Sequence, residues 1–274
     1  MEVIKSTGEK EPFNKEKFCN SIKMAGAPHE VAEKVCSLAA QKLAPGVTTT
    51  KIFRTALNYL IKENLSLAAS YSLRRAVDDF GPDGFVFEKY VEIILQAYGY
   101  ETARDVIING ICVSHEVDVL AKKDNTHYII EAKYRNERGI KTHIDVVMYG
   151  DARLADITKY HQKNEINMKH ELWVFTNTKF TDKSIQYANC RNIMLTGWNY
   201  PRERNLQNLI LNKKLYPVTV LPSVNRFARE QFAQKGALLA QDLLPYSAQD
   251  LINEFKISLK DAQRIALEAR QLAE

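Results

Sequence analysis

The sequence predicts an α+β chain in three parts: a helical N-terminal region with a short β-hairpin over residues 1–80, a central α/β core with a mixed sheet over 81–200, and a helical tail over 201–274. Three observations carry this. Apolar residues recur at helical spacing across residues 15–79. Two runs of strand composition, 117–121 and 127–132, flank the polar turn Lys122-Lys123-Asp124-Asn125-Thr126. Two further amphipathic stretches, each preceded by a capping serine, fill residues 247–272.

The chain opens with Val3-Ile4-Lys5, turns at Ser6-Thr7-Gly8 and returns through Glu11-Pro12-Phe13, which reads as a small hairpin. Asn14 is an N-cap for a helix that places Phe18, Ile22 and Ala25 on one face and stops at Gly26-Ala27-Pro28. A second helix spans 29–43, and a third is capped by Thr48 or Thr49 and carries Ile52, Phe53, Ala56, Leu57 and Leu60. A fourth, near 67–79, ends at Gly81-Pro82.

In the central part, Phe87, Val91, Ile94, Leu95 and Tyr98 form one helical stripe closed by Gly99, with Glu88 near its edge. A strand over 105–108 follows, then the acidic hairpin. With Asp124-Asn125 as a two-residue loop, Lys123 faces Thr126, Asp118 faces Glu131 and Glu116 faces Lys133, all four charged residues on one face. Opposed like charges destabilise a plain sheet, and a hard divalent cation with oxygen ligands gives them a reason to be there. A solvated charged face is the simpler alternative. A helix over 141–160 is expected to bury Ile144, Val147, Met148, Leu154 and Ala155; residues 172–177 are a buried strand, 182–189 a helix and 193–195 a last strand. Thr176, Asn177 and Thr181 read as turn and cap residues.

The tail begins basic. Arg202, Arg204, Lys213 and Lys214, with further arginines and lysines up to Lys235, suit either a phosphate backbone or a solvated helical face. Helices over 248–255 and 259–272 close the chain.

Bulk properties narrow the classes. Hydrophobic content of 45% and charged content of 26% are those of an ordinary globular protein, and the net charge of +5 permits a nucleic-acid partner without requiring one. No apolar run reaches membrane-spanning length and no signal-peptide core is present, so a cytoplasmic protein without membrane partners is expected. Cys19, Cys36, Cys112 and Cys190 form no CxxC pair, which argues against a zinc ribbon and is read as buried free thiols. A GxxxxGK[ST] loop is absent, so a motor is not expected.

Residues Val3-x-Lys5, Gly8, Pro12-Phe13-Asn14, Lys17, Val47-x-Thr49, Ile52 and Ala69-x-Tyr71-x-x-Arg74-Arg75 resemble the ATP-cone, a regulatory nucleotide-binding module of ribonucleotide reductases. The resemblance implies ATP or dATP as an effector, contacted at Val3, Lys5, Glu11, Asn14, Lys17 and Thr49. It also implies nucleotide-dependent assembly into a homo-oligomer. Ser6-Thr7 replaces the family's usual basic-acidic pair.

Asp118 followed by Glu131-Ala132-Lys133 resembles the PD-(D/E)xK nuclease signature, with Val117 where the motif has proline. Gly84-x-x-x-Glu88, Gly99-Tyr100 and the order helix, strand, strand, strand are similar to Mrr-type restriction endonucleases. The resemblance implies a restriction-endonuclease-like core that hydrolyses DNA phosphodiesters. Asp118, Glu131 and the Ala132 carbonyl would hold Mg²⁺ or Mn²⁺, Lys133 would position or deprotonate water, and Glu88 would complete the shell. The closing helices are faintly similar to helix-hairpin-helix DNA-backbone modules, without the glycine in the turn. Together these imply a DNA endonuclease under adenine-nucleotide control; a non-catalytic nucleotide-responsive DNA-binding regulator is the alternative, with RNA or branched DNA as other substrates.

Overall fold

A computed structural model describes residues 2–5, 8–81, 84–137, 139–166 and 168–273. The expected turn residues Ser6-Thr7 and the helix stop at Pro82 lie outside them. The chain forms two compact units, Met1–Ala76 with Tyr216–Glu274, and Val77–Leu215. No helix among the described residues is long and apolar enough to cross a membrane.

The terminal unit starts with β1 (Glu2–Ile4) and β2 (Lys10–Pro12), followed by α1 (Lys15–Lys23), α2 (His29–Gln41), β3 (Val47–Thr48), α3 (Thr49–Glu63) and α4 (Leu65–Asp78). β1 is the middle strand, antiparallel to β2 and parallel to β3. Gly8 adopts φ +87 between β1 and β2, a conformation open to glycine without a Cβ penalty. Three of these four helices start at a short polar cap: Asn14 accepts the Lys17 N–H, Thr48 that of Lys51 and Asn64 that of Leu67, whereas α2 starts at Pro28 without a side-chain cap. Ile22, Ala32, Val35, Ala56 and Leu60 make the buried core between these helices. Cys19 and Cys36 form a disulfide there, with Cα atoms 5.3 Å apart, which corrects the expectation of free thiols at those two positions. The spacing of 17 residues carries no CxxC signal; packing α1 on α2 is what brings them together. Cys112 and Cys190 are free and exposed.

The central unit contains α5 (Gly84–Ala97), β4 (Glu101–Asn109), β5 (Ser114–Lys123), β6 (Thr126–Lys133), α6 (Ile144–Lys163), β7 (Lys169–Thr176), α7 (Asp182–Arg191), β8 (Met194–Thr196) and α8 (Leu206–Asn212). Its five-stranded sheet runs β4-β5-β6-β7-β8, antiparallel through β6 and parallel from β6 to β8, with α6 and α7 as the crossovers. The β5–β6 register follows the two-residue loop, with Lys123 opposite Thr126 and Asp124 at φ +53. On α6 the buried residues are Val146, Val147, Gly150, Asp151, Arg153 and Ile157, whereas Met148 is 48% exposed and Ala155 is exposed. The expected apolar stripe was displaced because two charged residues, Asp151 and Arg153, take inward positions with partners that only the fold supplies. Residues 201–215, including α8, fall within this unit.

The remaining helices of the terminal unit are α9 (Arg226–Lys235), α10 (Ala248–Phe255) and α11 (Leu259–Ala273). Asn225 and Ser247 cap α9 and α10, Ser247 in a capping box with Asp250. Phe232 and Phe255 meet edge to face in the core beneath them.

Candidate functional sites

In the terminal unit a cavity of about 790 Å³ opens between the hairpin, α1, α3 and α4. It is lined by Val3, Glu11, Asn14, Lys17 and Thr49, five of the six residues that the sequence assigns to nucleotide. Lys5 is not in the lining; its ammonium lies 3.2 Å from both Glu9 and Glu11. The N-terminal turns of α1 and α3 contribute Lys15, Lys17 and Thr49 to the lining, and lysines beside two helix N-termini are a combination suited to phosphates. The opposite character comes from Phe13, Phe18, Phe53 and Tyr71. Phe53 and Tyr71 stack with centroids 4.9 Å apart, and the Arg75 guanidinium lies 3.6 Å from the Phe53 centroid. Burial pushes the Tyr71 phenol above its ordinary range, so it stands as a neutral hydroxyl. Phe53 and Ile52 read as core in the sequence because cavity walls and cores share the same helical spacing.

The second site lies in the central unit, where β5 departs from regular strand geometry. Residues three apart on a strand face opposite sides, yet Val117 and Leu120 both pack in one cluster with Ile157. The alternation breaks at Asp118. Asp105, its opposite on β4 between the pairs Arg104↔Val119 and Val106↔Val117, has φ +54, and the β5–β6 ladder ends at Val119↔Ile130. The expected pairing of Asp118 with Glu131 is therefore the next position beyond the ladder and is not part of it. The Asp118 carboxylate instead accepts the Ala132 N–H at 2.7 Å.

Glu131, one residue away, meets a partner the sequence reading missed. Arg153 Nη1 of α6 lies 3.0 Å from Glu131 Oε2, an ion pair by distance. The alignment is not that of a hydrogen bond, and Glu131 Oε2, Arg153 Nη1 and Arg153 Nε are all buried without a hydrogen-bond partner. Burial raises both carboxyls above their ordinary range; Asp118 further raises Glu131, while Arg153 and Lys133 oppose the rise in both, and the Ala132 N–H opposes it in Asp118. Glu88 on α5 is pushed up to about 7, first by burial and then by Asp118, Asp105 and Glu131. Lys133 makes no ion pair among the described residues, and Glu116 is exposed opposite Ile107 without the expected bridge to Lys133.

The end of β7 holds this strand in place. The Thr176 hydroxyl donates to the Lys133 carbonyl at 2.7 Å, and Asn177 accepts the Arg135 N–H and donates to the Arg135 carbonyl, both at 2.8 Å. These two residues clamp the segment after Glu131-Ala132-Lys133, a role beyond the turn chemistry expected of them; Thr181 does cap α7. His115 bonds Asp156 at 2.8 Å, and His143 is exposed at the start of α6. Arg202, Arg204, Lys213 and Lys214 are exposed around α8; the Arg204 guanidinium lies 5.4 Å from the Trp173 ring and Lys213 5.4 Å from that of Tyr98.

Among the described residues no three His, Cys, Asp or Glu side chains are grouped to hold a metal ion. The oxygen-only donors Asp118, Glu131 and the Ala132 carbonyl match a hard cation in chemistry, and Glu131 Oε2, which makes no hydrogen bond and is paired only by charge with Arg153, gives it a ligand atom. The fit is thus to a two-carboxylate site, not a side-chain cage.

Comparison with known proteins agrees with this division. The ATP cone domain family matches residues 1–79, and the family described as AF1548-like, C-terminal, matches residues 216–273. An uncharacterized protein of Archaeoglobus fulgidus is 32% identical over 179 residues, covering 65% of this chain and 97% of that protein. A solved structure described as the crystal structure of a protein of unknown function, AF1548, is 32% identical with a TM-score of 0.57, covering 69% of this chain and 97% of that one. The ATP cone points to an adenine nucleotide as effector. The chain belongs to the same family as the Archaeoglobus fulgidus protein and carries an ATP cone over its first 79 residues.

Proposed function

We propose that the central unit is a divalent-cation-dependent DNA endonuclease with a restriction-endonuclease-like core of the Mrr type, controlled by ATP or dATP in the cone. The observation that carries this is the coupling of buried carboxyls at one place, where Asp118 raises the proton affinity of both Glu88 and Glu131, beside Lys133 and a buried arginine. Such a set of buried, raised carboxyls is costly to keep for stability alone.

Asp118, Glu131 and the Ala132 carbonyl would hold Mg²⁺ or Mn²⁺, which would supply Lewis-acid stabilisation of charge on the scissile phosphate. Lys133 would orient the attacking water and offset phosphate charge. Glu88, titrating near neutrality, would accept a proton from that water or complete the cation's shell. The Asn177 and Thr176 clamp fixes the strand that bears Glu131 and Lys133, keeping both groups in register. Exposed Arg202, Arg204, Lys213 and Lys214 would contact the DNA backbone. Nucleotide in the cone would change contacts between copies of the chain, which sizing with and without ATP would read out.

The experiment is plasmid nicking with Mg²⁺ or Mn²⁺. Wild type is expected to cleave, and Asp118→Ala and Lys133→Ala to lose cleavage; activity surviving both substitutions would sink the assignment. Arg153 seated against Glu131 favours the second reading, a nucleotide-responsive DNA-binding regulator. Nucleotide-dependent DNA binding by a wild type that cleaves nothing would establish it.

A further inference from the structure

We propose that Arg153 binds the substrate's phosphate oxyanion and is held in reserve on Glu131 until a divalent cation takes that carboxylate. The proposal rests on the reading of the central unit as a cation-dependent site for nucleic-acid phosphate, and assigns a residue and a binding order within it.

The geometry is specific. Arg153 is 8% exposed, on the inner face of α6, between Gly150 and Ile157. Gly150 packs so closely on Leu172 that a Cβ there would come within 2.8 Å of a Leu172 methyl carbon, so α6 is seated tightly on the sheet at this point and delivers the guanidinium directly to Glu131. Yet the contact formed is a poor one. An arginine fork satisfies a carboxylate best through two parallel N–H···O bonds. Here Nη1 alone approaches Oε2, at 3.0 Å, and the buried Nε has no acceptor. Leaving buried charged donors unsatisfied is expensive, so a site that keeps them is organised for an acceptor that arrives later. The guanidinium carbon lies 4.9 Å from the centroid of the Tyr149 ring, whose side chain is 62% exposed, giving the fork one packed face next to a solvent-facing aromatic.

Charge explains the order. Asp118, Glu131 and Glu88 repel one another, and Arg153 and Lys133 are the cations that offset Glu131. A divalent cation held by Asp118 and Glu131 would compete with Arg153 for the Glu131 carboxylate. The freed fork then matches the paired oxygens of a phosphodiester. Cation binding and phosphate binding thereby become linked: each makes the other more favourable.

The test uses the full chain with Arg153→Met, which retains much of the stem, and Arg153→Lys, which keeps the charge and loses the fork. Calorimetry with Mn²⁺ alone is expected to show about tenfold tighter binding in Arg153→Met, because a competing cation is gone, and nearly wild-type binding in Arg153→Lys. Affinity for a short duplex in Ca²⁺ is expected to fall about tenfold in both variants, and to be unchanged in EDTA, where the wild-type fork is still engaged by Glu131. Equal loss of DNA affinity with and without Ca²⁺, or a Lys variant equal to wild type in Ca²⁺, overturns the proposal. Should Arg153→Met fail to fold, the Lys variant alone decides through its Ca²⁺ dependence. Absence of Mn²⁺ binding by wild type removes the cation-dependent reading itself; Mn²⁺ binding that neither variant alters, with DNA affinities also unaltered, overturns only the role given to Arg153.

Discussion

Replacing Glu88 by glutamine should stabilise the protein at alkaline pH and not at acidic pH. In the fold, burial and the neighbouring Asp118, Asp105 and Glu131 lift this carboxyl from its ordinary 4.5 to about 7. Between those values the folded chain holds a proton that the unfolded chain releases, so the folded state binds more protons. Stability contributed by the protonated group is complete below about pH 4.5, declines as pH rises through about 7, and stays low above it. At about 1.4 kcal/mol per pH unit the interval corresponds to roughly 3 kcal/mol as an upper limit. Glu88 is only half-buried, and solvent screening reduces this to about 1–2 kcal/mol. Glu88→Gln keeps the shape and removes the charge. Thermal unfolding should therefore show a Tm higher by roughly 2–6 °C at pH 8, converging on wild type near pH 5. Saturating Mg²⁺ should narrow the pH 8 difference, since a cation among the carboxylates relieves the same repulsion. A glutamine variant less stable than wild type at pH 8, or offset equally at every pH, would refute the electrostatic account of this site.

Three other outcomes follow from particular contacts. Lys17→Ala should weaken ATP binding about 10- to 100-fold by calorimetry, whereas Lys5→Ala, outside the cavity lining and held by Glu9 and Glu11, should have a smaller effect; the reverse ranking would displace the nucleotide from the cavity. Asn177→Ala strands both backbone groups of Arg135 and should cost about 2–4 kcal/mol in urea unfolding, with a loss under 1 kcal/mol contradicting the clamp. Cys19→Ser with Cys36→Ser should lower stability by about 3 kcal/mol under oxidising conditions, as expected for closing a loop of this length, and should abolish the sensitivity of Tm to dithiothreitol.

The elements that could be read in advance were those whose signal is local. The capping role of Asn14 is written into four consecutive residues, and the β5–β6 register into a two-residue turn between alternating strands. Asp118, Glu131 and Lys133 could be named because they sit within this hairpin. Arg153 could not: it is 22 residues from Glu131, on a helix whose periodicity suggested Met148 and Ala155 on the inner face. Asn177 looked like an ordinary turn residue because its partner, the Arg135 backbone, carries no sequence signature. The Cys19–Cys36 link was likewise invisible, since a separation of 17 matches no motif and only the α1–α2 packing closes it.

By itself the sequence determined the order of helices and strands, the cone at the N-terminus and the acidic hairpin, because periodicity, caps and turns act over one or two helical turns. The tertiary structure decided which charges meet. The break in β5 at Asp118, the arginine brought to Glu131 by α6, and the cavity whose walls combine α1, α3 and α4 arise from distant residues packed together. Long-range electrostatics depends on those distances and on burial, and neither quantity is carried by any short stretch of chain.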